Sequence, residues 1–254
     1  SPEDYLNYLH DPTMPTLPQD DKSYLKSAKT KVLIDIDKLK TATKVKFAPD
    51  LKDAIKEVED PLVMRRQLLA LSMARRELKE YEYMISLHLG KDSIKEIIDY
   101  FEAIKNKDII GYLPAHFEWN VWRGFLAIDK LSKLPHECRN FDIDEELQPK
   151  GHAPGNRPDM VFYYNDFTLV VEVTLLTGET QYNAEHEPVP RHVVRVMEQE
   201  DGCVYALFIA PHIQLNTAIH FHAKMTNIPH INSKGEKIYP KIVPLTVGEY
   251  IQLL

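Results

Sequence analysis

Hydrophobic positions at helical spacing dominate the chain from about residue 31 to residue 107. Apolar side chains recur there every three or four positions, which is the period of a helix that packs on one face. The longest segment starts at Pro61, which fits a first helical turn, and stops at Gly90, which fits the position after a helix. The pattern predicts a further helical segment on each side of it. Residues 1–30, with several prolines among polar residues, predict an arm or linker.

The pattern changes after about residue 111, where short β-prone runs begin to alternate with helices. The β-prone runs are Met160–Tyr164, Thr168–Leu175 and Cys203–Ala210. Helices are predicted at about 115–131, from near Pro190, and at about 216–225, and the last residues predict a strand and a short helix. We therefore expect a helical connector at 1–110 and a mixed α/β domain at 111–254.

Two acidic residues stand in the first two β-prone runs, where a fold usually places apolar side chains. A two-residue turn at 165–166 would pair Tyr164 with Phe167. The same register places Asp159 opposite Glu172, and like charges directly opposite each other destabilise a sheet. Carboxylates inside apolar strands must be protonated, paired or bound to a cation such as Mg²⁺. An edge strand whose acids face water, or meet an arginine, is the open alternative.

Three further side chains are candidates for the same site. Glu118 lies on the edge of an apolar helical stripe, so it either reaches the two acids or extends into solvent as a surface residue. Glu185 and His192 lie in the polar segment after the second β-prone run, with His192 in the first turn of the helix expected near Pro190. Taken singly, each of these two residues also fits an ordinary surface position.

Composition limits the kind of partner that the chain can bind by itself. The formal net charge is −7, from 31 Lys and Arg against 38 Asp and Glu. A protein that depends on phosphate-backbone affinity is usually basic, so tight autonomous DNA binding is not expected. Cys138 and Cys203 stand in unrelated contexts, which fits a reducing cytoplasmic protein. No apolar run is long enough for a membrane helix, so no membrane partner is expected.

The segment RPDMVFYYNDFTLVVEVT resembles the nuclease motif P-D…(D/E)-x-K. Pro158-Asp159 corresponds to its first part and Glu172-Val173-Thr174 to its second. The wider pattern FEWNVWRGFLAI, GNRPDMVFYY, LVVEVTLLTGETQ and AEHEPVPRH resembles the cleavage domain of AlwI-like type IIS restriction endonucleases, a group that includes large subunits of nicking endonucleases of the BstNBI kind. The resemblance covers about residues 112–254.

This resemblance implies a restriction-endonuclease-like α/β core, with a mixed central sheet flanked by helices, that cleaves double-stranded DNA with Mg²⁺ or, in its place, Mn²⁺. The implied metal ligands are Glu118, Asp159 and Glu172. Glu185 and His192 become further catalytic residues. Thr174 stands where most such nucleases have lysine, so the cationic role must pass to a second metal ion, to His192 or to a nearby arginine.

The resemblance also implies partners: a separate recognition domain, and a second nuclease subunit or transient dimer for cutting both strands of DNA, in a prokaryotic cytoplasm. Two alternatives stay open at this point. The chain could be a catalytically degenerate interaction or scaffold module, or a phosphodiesterase that acts on a substrate other than duplex DNA.

Overall fold

The computed structural model describes residues 18–44, 51–90, 92–128, 131–232 and 234–254. The chain divides into two compact units, one ending at Lys79 and the other spanning Glu80–Leu254. Across the described ranges, no helix combines the length and apolar character needed to cross a bilayer.

The first unit is helical. Helix α1 (Pro18–Thr43) occupies part of the region predicted as an arm, while Pro12 and Pro15 lie outside the described residues. Helix α2 (Pro61–Leu89) begins and ends where its proline and glycine signals predict, and its residues up to Lys79 belong to this unit. Buried apolar side chains from both helices form the core of the unit: Val32, Ile36, Leu71, Ala74 and Leu78.

The helical segment predicted before Pro61 is wrong, because residues 51–60 form turns and irregular backbone. The side-chain amide of Gln67 donates hydrogen bonds of 2.7 Å to the carbonyl of Asp53 and 3.2 Å to the carbonyl of Lys56. A buried side chain from α2 therefore satisfies carbonyl groups that a helix would satisfy internally. Proline also disfavours helical backbone at the residue before it.

The second unit contains the rest of the elements. Its helices are α3 (Ser93–Asn106), α4 (Leu113–Leu126), a 3₁₀ turn (Pro135–Cys138), α5 (Gly178–Glu185), α6 (Pro188–Gln199), α7 (Leu215–Thr226) and α8 (Val247–Ile251). Its strands are β1 (Met160–Tyr163), β2 (Phe167–Val173), β3 (Cys203–Ala210), β4 (His230–Ile231), β5 (Lys237–Ile238) and β6 (Ile242–Thr246). The main sheet has the order β1-β2-β3-β6, in which β1 runs antiparallel and the other three strands are parallel. Strands β4 and β5 form a separate antiparallel ribbon.

Helices cover both faces of the main sheet, so the predicted α/β architecture of a mixed sheet flanked by helices is confirmed. Alternate residues of β2 enter different cores: Val171 packs with the aromatic residues of α4, and Val170 packs with the valines of α6. On the α4 face, the Phe125 ring lies 4.7 Å from Phe162 and 5.3 Å from Tyr250, centroid to centroid. This packing fixes α4 against the sheet beside the β1–β2 hairpin.

Several boundaries differ from the sequence prediction. Helix α5 falls in a segment predicted as a polar loop, α6 begins at Pro188 rather than Pro190, and α4 ends at Leu126 rather than near 131. The compact units separate after Lys79 because α3 packs on α4 in the core of the second unit. The division into a connector at 1–110 and a catalytic domain at 111–254 remains a prediction about functional domains.

A buried ion pair stabilises the second unit. Arg139 donates hydrogen bonds of 3.0 and 2.7 Å to the two carboxylate oxygens of Glu80, which is fully buried. We expect Glu80→Ala to lower the free energy of unfolding by about 3–5 kcal/mol, because it leaves the buried guanidinium without its counter-charge. Urea unfolding measures this. Asp99→Ala, which removes the exposed partner of Lys95, is the control, and an equal loss in both variants would contradict the prediction.

Candidate active site

The β1–β2 hairpin has the register predicted from its turn. Met160 pairs with Val171, and the Tyr164 N–H donates a 3.0 Å hydrogen bond to the Phe167 carbonyl. Asp159 therefore stands one residue before β1 and reaches the end of β2, where its Oδ2 accepts a 2.8 Å hydrogen bond from the Val173 N–H. The edge-strand alternative is wrong for β2, which pairs with a strand on each side.

Asp159 and Glu172 come together at this place, where each carboxyl group affects the pKa of the other. Glu172 is only 6% exposed. Burial raises the pKa of both groups well above the ordinary range. The negative charge of Glu172 raises the pKa of Asp159 further, and the negative charge of Glu185 raises the pKa of Glu172 further. Protonation or a bound cation therefore stabilises the pair relative to two bare carboxylates.

Helix α4 brings Glu118 to the same cluster. The side chain is 6% exposed, so the surface alternative is wrong for this residue. Its Oε2 accepts a 2.7 Å hydrogen bond from the Ala153 N–H, in the loop that leads to β1. Burial, followed by the negative charge of Asp159, raises the pKa of Glu118 to about 9.

Helices α5 and α6 supply the remaining two predicted residues. Glu185 is the last residue of α5, and burial raises its pKa while a hydrogen bond from Thr174 lowers it. His192 is 7% exposed on α6, with its Nδ1 2.7 Å from Glu172 Oε1. Burial, followed by the positive charges of Arg191 and Arg195, lowers the pKa of His192 to about 4.

The environment of His192 determines what its second nitrogen can do. When Glu172 is ionised, the neutral imidazole donates its Nδ1–H to that carboxylate and leaves a lone pair on Nε2. Nε2 is buried and has no hydrogen-bond partner among the described residues. A buried polar atom without a partner costs free energy, so this nitrogen is suited to accept a hydrogen bond from a bound water or ligand.

Thr174 lies at the position where the nuclease motif usually has lysine. Its hydroxyl accepts a 3.2 Å hydrogen bond from the Leu176 N–H and interacts with Glu185. A hydroxyl carries no charge at neutral pH, so any positive charge in the cluster must come from elsewhere.

The donor set fits a hard divalent cation. Mg²⁺ binds through one or two carboxylates and completes its shell with water and substrate phosphates. Asp159 and Glu172 are a convergent oxygen pair with raised pKa values, which is the environment that a cation stabilises. Among the described residues, no three His, Cys, Asp or Glu side chains are arranged to hold an ion together. Glu118 as a third ligand therefore remains a prediction.

The raised carboxyl pKa values predict how stability depends on pH in the presence of EDTA. A carboxyl group whose pKa is raised on folding binds more protons in the folded state than in the unfolded state, so stability falls as pH rises above the ordinary carboxyl range. We expect Asp159→Asn to increase the free energy of unfolding at pH 8 by about 1–2 kcal/mol, and by less at pH 5. Urea unfolding at both values measures this; an unchanged or lower stability at pH 8 would contradict it.

Some interactions of the cluster could not be predicted from the sequence. Ala153 acts through its backbone N–H, and Asn156 binds the arginines of α6 through its carbonyl and side chain. A backbone donor leaves no signal in the residue type, and only the glycine- and proline-rich character of residues 151–158 indicates an irregular loop here.

Comparison with known proteins identifies the family and the fold of the chain. The family model of the AlwI restriction endonuclease matches residues 2–253. Among solved structures, the small subunit (R.BspD6I2) of the heterodimeric restriction endonuclease R.BspD6I is 27% identical, with a TM-score of 0.51 over 63% of this chain and 75% of that chain. No curated protein matches the sequence. The fold is that of a restriction endonuclease, and the chain belongs to the AlwI restriction endonuclease family, which makes it a nuclease of the restriction type.

Proposed function

We propose that this chain hydrolyses phosphodiester bonds of double-stranded DNA in a Mg²⁺-dependent reaction, as a type IIS or nicking endonuclease of the prokaryotic cytoplasm. Mn²⁺ is expected to substitute for Mg²⁺. The observation that carries the proposal is the convergence of five chemically matched side chains from four elements and a loop: Glu118, Asp159, Glu172, Glu185 and His192.

Asp159 and Glu172 are the residues that hold the cation in this proposal, with Glu118 beside them. A bound Mg²⁺ supplies polarisation of the scissile phosphate and a lower pKa for the attacking water. The Val173 and Ala153 N–H groups fix the orientation of Asp159 and Glu118 before substrate arrives. Such preorganisation reduces the rearrangement needed in the transition state.

His192 and Glu185 then act on the attacking water. With Nδ1–H committed to Glu172, the His192 Nε2 accepts a hydrogen bond from that water and orients it. Glu185, next to Thr174, takes its proton or holds a second cation. The expected products carry 5′-phosphate and 3′-hydroxyl ends, as in the family that the chain resembles.

One site of this kind cuts one strand, so a cut through both strands requires a second nuclease subunit or a transient dimer. The solved neighbour is itself a subunit of a heterodimeric enzyme. The net charge of −7 agrees with weak intrinsic affinity for DNA and with sequence recognition by a separate domain.

Plasmid cleavage tests the proposal. Supercoiled plasmid is incubated with the protein and Mg²⁺, Mn²⁺ or EDTA, and the cut ends are sequenced by run-off. Metal-dependent conversion to open-circular or linear DNA supports the function. The two alternatives predict other results: cleavage of RNA, single strands or a generic phosphodiester but not plasmid, or no cleavage and no calorimetric Mg²⁺ binding that depends on Asp159.

A further inference from the structure

Three arginines lie beside the candidate site, on the helix that carries His192 and in the loop that carries Asp159. Arg191 and Arg195 are one turn apart on α6 and flank His192 in sequence. Arg157 lies two residues before Asp159. Both α6 arginines meet the same loop residue: Arg195 Nη1 donates a 2.7 Å hydrogen bond to the Asn156 carbonyl, and Arg191 Nη1 lies 3.4 Å from its Oδ1.

These arginines carry positive charge that the surrounding residues do not fully neutralise. Arg157 and Arg195 are exposed, and neither is paired with a carboxylate in the part of the chain that the structure describes. Arg191 pairs with the largely exposed Glu187 at 3.1 Å. Arg139, in the same unit, is by contrast buried against Glu80. Two guanidinium groups without a carboxylate partner among the described residues, and one paired only with an exposed carboxylate, therefore stand near residues 156–159, in a chain whose net charge is −7.

A DNA strand that approaches four carboxylates meets a negative field, and its phosphates must be held against that repulsion. In related motifs a lysine contributes to the positive charge, whereas Thr174 cannot. Guanidinium groups bind phosphate oxygens through two parallel N–H donors, which gives both charge and orientation. We propose that Arg157, Arg191 and Arg195 form a phosphate clamp that binds the DNA backbone next to the scissile bond. This inference rests on the nuclease function proposed above.

A purely structural role is the competing explanation, since Arg195 also holds the Asn156 loop through its carbonyl. The two roles predict different effects of replacing Arg195 with lysine. A lysine keeps the charge that binds a phosphate but lacks the planar fork that reaches the carbonyl and a second acceptor together. Arg195→Lys should therefore retain phosphate affinity, while Arg195→Gln should lose it.

DNA binding is measured as a function of salt concentration, with a short duplex of random sequence, in the Asp159→Asn background so that the duplex is not cut. For each phosphate that the protein no longer neutralises, the slope of log affinity against log salt is expected to fall in magnitude by about 0.9. We expect this smaller slope in Arg157→Gln and in Arg195→Gln. Arg195→Lys should keep the slope of the protein with arginine at this position. Glu187→Gln, which releases Arg191 from its ion pair, should tighten binding. Lys95→Gln removes an exposed positive charge on α3 and is the matched control.

Cleavage by the same variants, with Asp159 intact, gives the second readout. Loss of the clamp should raise KM more than it lowers kcat, because the arginines bind phosphates that do not react. Salt slopes equal to that of Lys95→Gln would overturn the clamp even if the wild-type chain cuts DNA. Failure of Arg195→Lys to restore the slope would also overturn it and favour a loop-holding role. Absence of wild-type cleavage would instead overturn the proposed function.

Discussion

Asp159→Asn and Glu172→Gln should each reduce Mg²⁺-dependent DNA cleavage by at least about 10³-fold while the fold survives. Both substitutions keep the shape of the side chain and an oxygen acceptor, so the hydrogen bonds with the Val173 N–H and His192 can persist. The substitutions remove the charge that holds the cation. A bound metal ion contributes several kcal/mol of transition-state stabilisation, and each 1.36 kcal/mol changes a rate about tenfold.

Single-turnover plasmid cleavage, with circular dichroism to confirm folding, measures this effect. Glu179→Gln is the matched control, because Glu179 is an exposed acid in the first turn of α5, close in sequence to the site. Its rate should equal that of the wild type. Undiminished cleavage by either the Asp159 or the Glu172 variant would remove these residues from the metal site.

The β1–β2 hairpin could be predicted because its determinants are local. A two-residue turn fixes the pairing of every residue behind it, so the position of Asp159 opposite Glu172 followed from the distance to the turn. The apolar neighbours of Glu172 further indicated that the carboxylate is buried. The sequence thus contained both the geometry of the pair and the electrostatic reason why it needs a proton or a cation.

The surroundings of the hairpin depend on interactions between residues that are distant in sequence. Helix α5 has little helical signal of its own, and its buried Gln181 binds the carbonyls of Leu176 and His212 and the N–H of Gln214. The orientation of Glu118 depends on a backbone N–H 35 residues away. Periodicity and turn chemistry do not report such interactions. The residues alone therefore left Glu118, Glu185 and His192 as candidates that also fitted surface positions, and the resemblance to a nuclease family was needed to choose between the two.

The role of His192 is separable from that of the metal site by substitution. We expect His192→Gln to lower the single-turnover rate by about 10²–10⁴-fold, because it removes the Nε2 acceptor that orients the attacking water. The amide can still donate a hydrogen bond to Glu172, so metal affinity, measured by calorimetry, should change much less than the rate. A fall in metal affinity that accounts for the whole reduction in rate would instead assign His192 to holding Glu172 in place.

The pH profile gives an independent test of the same assignment. The pKa of His192 is lowered to about 4, so this imidazole stays neutral through the range in which cleavage is assayed. The pKa values of Asp159, Glu172 and Glu118 are raised, so protons compete with Mg²⁺ and the rate should fall as pH falls. More Mg²⁺ should move this acid limb to lower pH, because the ion displaces the protons. His192→Gln should lower the maximal rate at high pH and leave the pH range of the acid limb unchanged. Disappearance of the acid limb in this variant would show that titration of His192 itself causes the limb.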